Sequence, residues 1–547
     1  MKLKSFLYTI LLTLISLPLS AQTGNCYRAV LTDKNNSPYS VSSPEQFLSQ
    51  RAIDKRQRYA IPVTEEDLPV NPSYVSAIRE IDSSIRILSL SKWTNTLTFL
   101  CQDEELVNEI RNLPFVSDVV VVGNYPLEKS RIPTVPVQKL RQETFDTTYY
   151  GAAYPQIALH NGHLLHNEGF MGEGMLIAVL DAGWTGFDEL PIFQSLYENG
   201  QIWGTYNFIP YVEGVYSLHS HGTSCTSEIA VCEADSFVGA APRANFFFIR
   251  TEDPIFEMPL EEDFWIAGAE LADSIGADVI SSSLGYTTFD DSTFVRDYST
   301  CDGEYSIASV GATMASHRGI VVCVAAGNEG SNVWHKLSRP GDANDILCVG
   351  AVNRDSLYAP FSGCGPSYDG RVKPDVASCG WEARFFDDEG MVSVGNGTSC
   401  ATPIIAGMSA CLWQAMPQFN SLEIMQIIRE CGHQYTTPDT LMGYGIPDFY
   451  KAWELNHTVG IDEMLRPEIT WSVYPNPCEG EFWVVNSSAK RIQVEVYDMT
   501  GRLLYRSGSW TEDRLLPVRT NAWTSGVYIV KITDGDGNVE MKKLVRR

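Results

Sequence analysis

The sequence predicts an α/β protein: a mostly parallel sheet covered by helices on both faces, preceded by a small α+β domain and followed by a β-sandwich. Three observations carry this. From about residue 149 short apolar runs alternate with helical stretches, as in strands buried on both sides. Before that stretch shorter strand and helix patterns mix, and after about residue 457 short alternating runs are separated by turn residues. A chain of 547 residues is also several times the usual domain length, so several folding units are expected.

The first residues carry Lys2 and Lys4, then an apolar run from Phe6 to Leu17, then Pro18-Leu-Ser-Ala21. That order of charge, apolar core and small residues reads as a secretory signal over residues 1–21, cut after Ala21. The run is too short to span hydrocarbon, and no later uncharged stretch is long enough, so no transmembrane helix is expected. Residues 22–145 divide into an α+β domain and a linker. Strand patterns fall at Tyr27 to Leu31, Ile85 to Cys101 and Val116 to Val122, helical ones at Pro44 to Tyr59 and Asp103 to Leu113. A Pro-rich polar segment follows, from Tyr125 to about Thr148. Within residues 146–457 the strand candidates are Leu176 to Leu180, Asn245 to Ile249, Val279 to Ser282, Ile320 to Ala325 and Ile346 to Val349. Helices are expected near Glu261 to Ser274 and Ser306 to His317. Residues 470–547, with turns at Asp498-Met-Thr-Gly501 and Asp534-Gly-Asp-Gly-Asn538, read as the sandwich.

A net charge of −27 disfavours phosphate backbones and anionic membranes, so nucleic acid is excluded as a partner. Thirteen cysteines are an odd number at irregular spacing, and several, such as Cys323 and Cys348, sit inside apolar runs. Buried small hydrophobes are therefore expected rather than a disulfide framework. Neither Cys-x-x-Cys nor His-Glu-x-x-His occurs, which removes metal centres of those designs.

Four separated segments converge on one chemistry. Met175-Leu-Ile-Ala-Val-Leu180 ends in Asp181-Ala-Gly183, a carboxylate at the mouth of the sheet that can accept a histidine N–H. His221-Gly-Thr223 begins a helical stretch, where the dipole keeps an imidazole neutral and fit to act as base. His219, without that context, reads as structural. Val321-Val-Cys-Val-Ala-Ala-Gly-Asn328-Glu-Gly330 is a buried strand opening into a glycine-flanked turn, whose amide can donate to an oxyanion. Gly395-Asn-Gly-Thr-Ser399-Cys-Ala-Thr-Pro403 leads into an apolar helix, with Pro403 suited to the first turn and Ser399 just before or at its start.

Asp-x-Gly, His-Gly-Thr, Ala-Ala-Gly-Asn and Gly-Thr-Ser-x-Ala-x-Pro in this order resemble the motifs of the subtilase family. The separations of 40, 107 and 71 residues suit a compact subtilisin-like core, and the similarity covers about residues 151–455. The resemblance implies a serine endopeptidase in which Ser399 attacks, His221 shuttles the proton, Asp181 holds the imidazole and Asn328 binds the oxyanion. It implies that Ser283-Leu-Gly285 lines the cleft and pairs with extended substrate. Tyr286 and Cys400 depart from the family's Gly and Met, which bears on specificity. Glu329, beside Asn328, is placed to favour a basic or polar residue before the scissile bond.

By position and size residues 22 to about 145 resemble the propeptides of such zymogens; an independent binding domain is the other reading. Val473-Tyr-Pro-Asn-Pro477, Val496-Tyr-Asp498, Ser525-Gly-Val-Tyr-Ile529 and the basic Lys542-Lys543 resemble type IX secretion sorting domains; a matrix-binding sandwich is the other reading. The expected partners are protein or peptide substrates, the protein's own propeptide and the type IX machinery. The expected location is the medium or the cell surface, reached through periplasm and outer membrane. No cofactor is required for the chemistry; calcium is frequent in such enzymes, though no ligand loop is legible. A catalytically silent relative would lack a motif residue, and none is lost. An adhesin working through its β tail would need no nucleophile.

Overall fold

The computed structural model describes residues 24–125, 149–294, 296–457, 471–474, 478, 480–486, 491–507, 515–535 and 539–547. The expected signal over residues 1–21, most of the expected linker and the turn residues 536–538 lie outside the described residues. The chain divides into two compact units, meeting between Asn456 and His457.

The first unit opens with an antiparallel sheet in the order β2-β3-β1-β4, built from β1 (Gly24–Leu31), β2 (Arg86–Ser91), β3 (Thr96–Cys101) and β4 (Val116–Tyr125). Helices α1 (Gln50–Arg58), α2 (Pro72–Ile81) and α3 (Glu104–Arg111) complete it. The run from Ile85 to Cys101, which reads as one strand, is a hairpin, turned where Asn95 adopts a φ of 52°. Helix α2, which the sequence reading passes over, sets Tyr74, Val75, Ile78 and Ile81 against the core of this sheet. Its start is fixed locally, by Pro72 in the first turn and by the Asn71 side chain accepting from Ser73 N–H at 2.9 Å.

The central sheet has seven parallel strands, β5 (Leu176–Asp181), β6 (Ile202–Asn207), β7 (Asn245–Arg250), β8 (Val279–Ser282), β9 (Val321–Ala325), β10 (Leu347–Val352) and β11 (Val376–Cys379), in the order β11-β10-β9-β8-β5-β7-β6. Alternate residues of β5 and β9 feed two cores. Ile177, Val179, Val321 and Cys323 face one; Leu176, Ala178, Leu180, Val322 and Val324 face the other. Helices α4 (His221–Ala230), α7 (Thr398–Ala415) and α8 (Ser421–Glu430) cover the first face, and α5 (Leu260–Ile275) and α6 (Ile307–His317) cover the second. Helix α7 is apolar nearly all round because it runs through the interior. Gly407 lets it approach the 239–241 turn: a Cβ there would stand 2.6 Å from that of Ala240.

The amino-terminal sheet joins α5 and α6 through charge. Arg28 holds Asp263 with two bonds of 2.6 and 2.5 Å, and Lys92 reaches Asp273 at 3.0 Å. The Glu270 carboxylate, fully buried on α5, takes Ser91 Oγ and the N–H groups of Lys92 and Trp93. Arg56, 2% exposed, lies between Asp67 at 2.8 Å and Asp273 at 2.9 Å, and Arg318 closes on Asp67 at 2.7 Å. Those contacts hold the Asp67 carboxyl below its ordinary range, against a burial that would raise it.

The second unit contains two antiparallel sheets. One is β14-β15-β18, from β14 (Trp471–Tyr474), β15 (Glu481–Asn486) and β18 (Leu515–Arg519). The other is β17-β16-β19-β20, from β16 (Ile492–Asp498), β17 (Leu503–Arg506), β19 (Gly526–Asp534) and β20 (Val539–Arg546). A hairpin between Ala383–Phe386 and Val392–Gly395, in the first unit, supplies β12 and β13 of this numbering. Phe482, Val484, Val494, Val496, Val518, Val530 and Ile532 form the second unit's core. The expected turn after β16 is present: Asp498 Oδ1 accepts from Thr500 and Arg502 N–H, and Gly501 adopts a φ of 84°.

Replacing Arg56 by Met removes the cation that Asp67 and Asp273 share and leaves each with one, Arg318 and Lys92, at a cost below the about 3–5 kcal/mol of a wholly unpaired buried charge. In the full, unprocessed chain this substitution lowers the urea midpoint at which the amino-terminal sheet detaches. Unfolding curves that superimpose on those of the parent contradict the assignment.

Candidate active site

The site stands at the carboxyl edge of the parallel sheet, where ligands bind in open α/β folds. Asp181 closes β5 with no solvent exposure; its Oδ1 accepts from Ala182 N–H at 2.7 Å and from His221 Nδ1–H at 2.8 Å. His221 is the first residue of α4, and its own N–H donates to His219 Nδ1 at 3.1 Å. His219 thus supports the site instead of lying idle in it. Gly222 is obligatory: a Cβ there would stand 2.7 Å from both Gly183 O and the Trp184 ring.

Burial opposes the His221 imidazolium, but the Asp181 carboxylate outweighs it and lifts the His221 pKa well above the ordinary histidine value. The Asp181 carboxylate thus opposes the effect expected of the helix N-terminus on this ring. A full carboxylate charge in hydrogen-bond contact beats the roughly half charge of a helix end.

Ser399 is the second residue of α7, and Pro403 lies in the second turn, not the first. This shift matters for Ser399. Proline has no N–H, so Ser399 C=O loses the helical donor four residues on. Ser283 Oγ supplies a bond to that carbonyl at 2.8 Å and Cys225 Sγ another at 3.4 Å. Of the expected cleft segment, Ser283 therefore points its hydroxyl into the helix start. Leu284 is buried, and Gly285 is exposed and obligatory, since a Cβ there would meet Ser338 Oγ at 2.1 Å.

Asn328 follows β9 on an exposed turn. Its Oδ1 accepts from Thr398 N–H at 2.9 Å and Thr398 Oγ1 at 3.1 Å, which leaves Nδ2 as the free donor. The point a Cβ on Gly397 would occupy lies 2.6 Å from Ser399 Oγ and 3.7 Å from Asn328 Nδ2, so the two share one side of the site. Among the described residues Ser399 Oγ makes no hydrogen bond to His221. Cys225 links the two, with Sγ 3.8 Å from either ring nitrogen and 3.4 Å from Ser399 O. Burial pushes the Cys225 thiol up to about 12, so it stays neutral.

Sequence reasoning passes over Thr398 and Arg250. Arg250, fully buried at the end of β7, donates to the carbonyls of Gly214, Val215 and Ser217 and so fixes the loop leading to His219. Its only signal is a cation closing the apolar run Phe246-Phe-Phe-Ile249.

Among the described residues two clusters bring three metal-capable side chains within 4.8 Å of one another: Asp181, His221 and Cys225, and Glu252, Glu257 and Glu261. The first is accounted for by the carboxylate–imidazole bond.

A serine beside an imidazole oriented by a buried carboxylate, at the open edge of a parallel sheet, defines the serine hydrolase class. Within it the chain belongs to the subtilase family of serine-type endopeptidases, whose family model matches residues 172–445. The Bacteroidota peptidase S8 propeptide domain matches residues 26–135, and the secretion system C-terminal sorting domain matches residues 472–547. The chain is 27% identical over 335 residues to serine protease AprX of Bacillus subtilis, covering 56% of this chain and 69% of the relative. It is 28% identical over 263 residues to subtilisin E of the same organism, covering 48% and 61%. It thus spans about two thirds of the length of these relatives. The crystal structure of MycP1 from Mycobacterium smegmatis gives a TM-score of 0.45 at 18% identity, covering 60% of this chain and 89% of that one. The sorting tail directs the protein through the type IX system to the cell surface or the medium. Among the described residues no helix is long and apolar enough to cross a membrane.

The contacts of Cys225 generate a test. A mercurial on its sulfur displaces the imidazole, and a misplacement of about 1 Å costs about a hundredfold in rate. Wild type loses peptidase activity on treatment while Cys225→Ala, active beforehand, resists. Equal loss in Cys225→Ala, or resistance only in Cys400→Ala, assigns the sensitivity elsewhere.

Proposed function

We propose that this chain is a secreted endopeptidase, made as a zymogen, that hydrolyses peptide bonds through Asp181, His221 and Ser399. The observation carrying the reading is the 2.8 Å bond from His221 to the fully buried Asp181, with Ser399 held beside the same imidazole by Cys225.

Ser399 Oγ attacks the scissile carbonyl carbon as its proton passes to His221 Nε2. Asp181 holds the Nδ1–H tautomer and stabilises the imidazolium. The oxyanion takes hydrogen bonds from Asn328 Nδ2 and Ser399 N–H, which as the second residue of a helix has no intrahelical acceptor. Collapse expels the amine, protonated by His221, and leaves an acyl-enzyme. Water activated by the same imidazole then releases the acid. The contact between Ser399 Oγ and His221 tightens when substrate fills the site. Every group used comes from the chain, so no cofactor enters. Because the raised His221 pKa must be crossed from below to free the base, activity rises with pH above the ordinary histidine range.

Labelling of the processed protein by a fluorophosphonate tests the nucleophile. Wild type is labelled; Ser399→Ala is not, cleaves nothing and keeps its amino-terminal domain attached. Normal turnover in that variant sinks the assignment.

Asn328→Ala lowers kcat about a hundredfold to a thousandfold with KM little changed, because the lost bond is made in the transition state. A pure KM effect in steady-state assays contradicts the oxyanion role.

A further inference from the structure

Helix α4 carries an ionisable group that the chemistry above leaves unused. His221 opens this helix, Cys225 stands one turn on and Glu228 two turns on, so spacings of four and seven residues set the three along one face. That face meets the start of α7, because Cys225 Sγ reaches Ser399 O at 3.4 Å. Glu228 therefore lies in the seam between the helix that begins at His221 and the helix that begins beside Ser399, about 10 Å along α4 from His221.

Glu228 has no solvent exposure, and neither of its carboxyl oxygens has a hydrogen-bond partner among the described residues. The walls around it are pinned. Ala240 N–H donates to Glu228 O at 2.8 Å, and Phe386 N–H of β12 donates to Ser227 Oγ at 2.8 Å. Gly407 of α7 lies against Ala240 from the other side.

The groups that face Glu228 offer no counter-charge. Cys400 comes from α7 and Cys379 from β11; burial first, and the Glu228 carboxylate next, raises both thiols, Cys379 to about 12, so the three share one part of the interior. Thiols of that kind stay neutral. On β12 Arg384 faces Cys379, with its backbone held by Gln156, and makes no ion pair with Glu228. On α4 itself His221 is bound to Asp181 of β5, and the Gly239-Ala-Ala241 turn brings no titratable side chain.

Burial alone lifts the Glu228 carboxyl well above the ordinary carboxylate range, so it is held as the neutral acid. A neutral acid is tolerable in an apolar seam, whereas a carboxylate without a donor is not. Once the proton is lost, the charge is relieved only by admitting water or by parting the walls, and two of those walls are α4 and α7.

We propose that Glu228 is a positioning residue: as an uncharged acid it fills the seam between α4 and α7, and loss of its proton in alkaline solution parts the two helices and withdraws Ser399 from His221. The inference rests on the peptidase reading above. His221 must lose a proton and Glu228 must keep one, so the imidazole bounds the active window from below and this carboxyl bounds it from above. Stability carries the same sign. Between the ordinary carboxylate range and the raised value the folded chain holds a proton that the unfolded chain has released, so stability falls as pH rises through that interval.

The test follows kcat of the processed protein against pH on one fluorogenic peptide, for wild type, Glu228→Gln and Glu228→Leu, each scaled to its own maximum. Wild type passes through a maximum and then loses about a hundredfold, the effect of misplacing a reacting group by about 1 Å. In Glu228→Gln, which keeps the shape of the acid and cannot ionise, that alkaline fall disappears. Glu228→Leu, also without charge, loses it too, so the outcome does not hang on one variant. Thermal midpoints supply a second readout: Glu228→Gln gains on wild type as pH rises above the ordinary carboxylate range. A merely structural role shifts the midpoint by one amount at every pH and leaves the kcat profile in place. A wild type without an alkaline fall, a fall that persists in both variants, or a midpoint gap that does not change with pH overturns the proposal and leaves the peptidase reading intact. A wild type that is inactive at every pH and takes no fluorophosphonate overturns that reading and the proposal with it.

Discussion

An ionised carboxylate with no solvent exposure is tolerable only where donors meet it, and Asp181 is such a group. It stands at the end of the strand next to the centre of a parallel sheet, where both faces are packed and only the carboxyl edge is open. The donors it finds, Ala182 N–H and His221 Nδ1–H, fix where α4 begins. That helix in turn packs against α7, through Cys225 and the close approach at Gly407, and so sets the depth of Ser399. These supports meet one oxygen of the carboxylate, Oδ1, while its Oδ2 is buried without a hydrogen-bond partner among the described residues.

Those supports are built by replacing backbone donors with side chains. Pro403 removes one hydrogen bond from the helix that carries Ser399, and Ser283 and Cys225 restore bonding at the same carbonyl from two other elements. Thr398 does the same for orientation, engaging one end of the Asn328 amide so that the other faces outward. Ser399, His221 and Asn328 are thus tied across four segments that lie far apart in sequence. Preorganisation of this kind lets donors act on developing charge without first reorienting.

Much of this is legible in the sequence because each active-site residue sits in a local string at a strand end. An apolar run, then Asp181-Ala-Gly or Gly-Asn328-Glu, states both where the strand stops and what stands there. The supports are less legible. Thr398 and Ser283 hydroxyls, Arg250 and His219 act on partners tens or hundreds of residues away, and nothing local distinguishes them from ordinary polar residues. Strand β6 escapes for another reason: its residues are only partly buried and its apolar positions show no clean period. The hairpin between β2 and β3 is hidden because Lys92 and Trp93, its turn, are bound to Glu270 on another element.

All thirteen cysteines are free, and all but Cys232 are buried. Depth raises the pKa of Cys323, Cys400 and Cys411 well above that of an ordinary thiol, so few thiolates are available for exchange. The sulfur atoms serve as volume in the core. No covalent cross-link has to be formed, checked or reshuffled along the route the sorting tail dictates. The folded state is thereby uncoupled from the redox potential of each compartment it crosses.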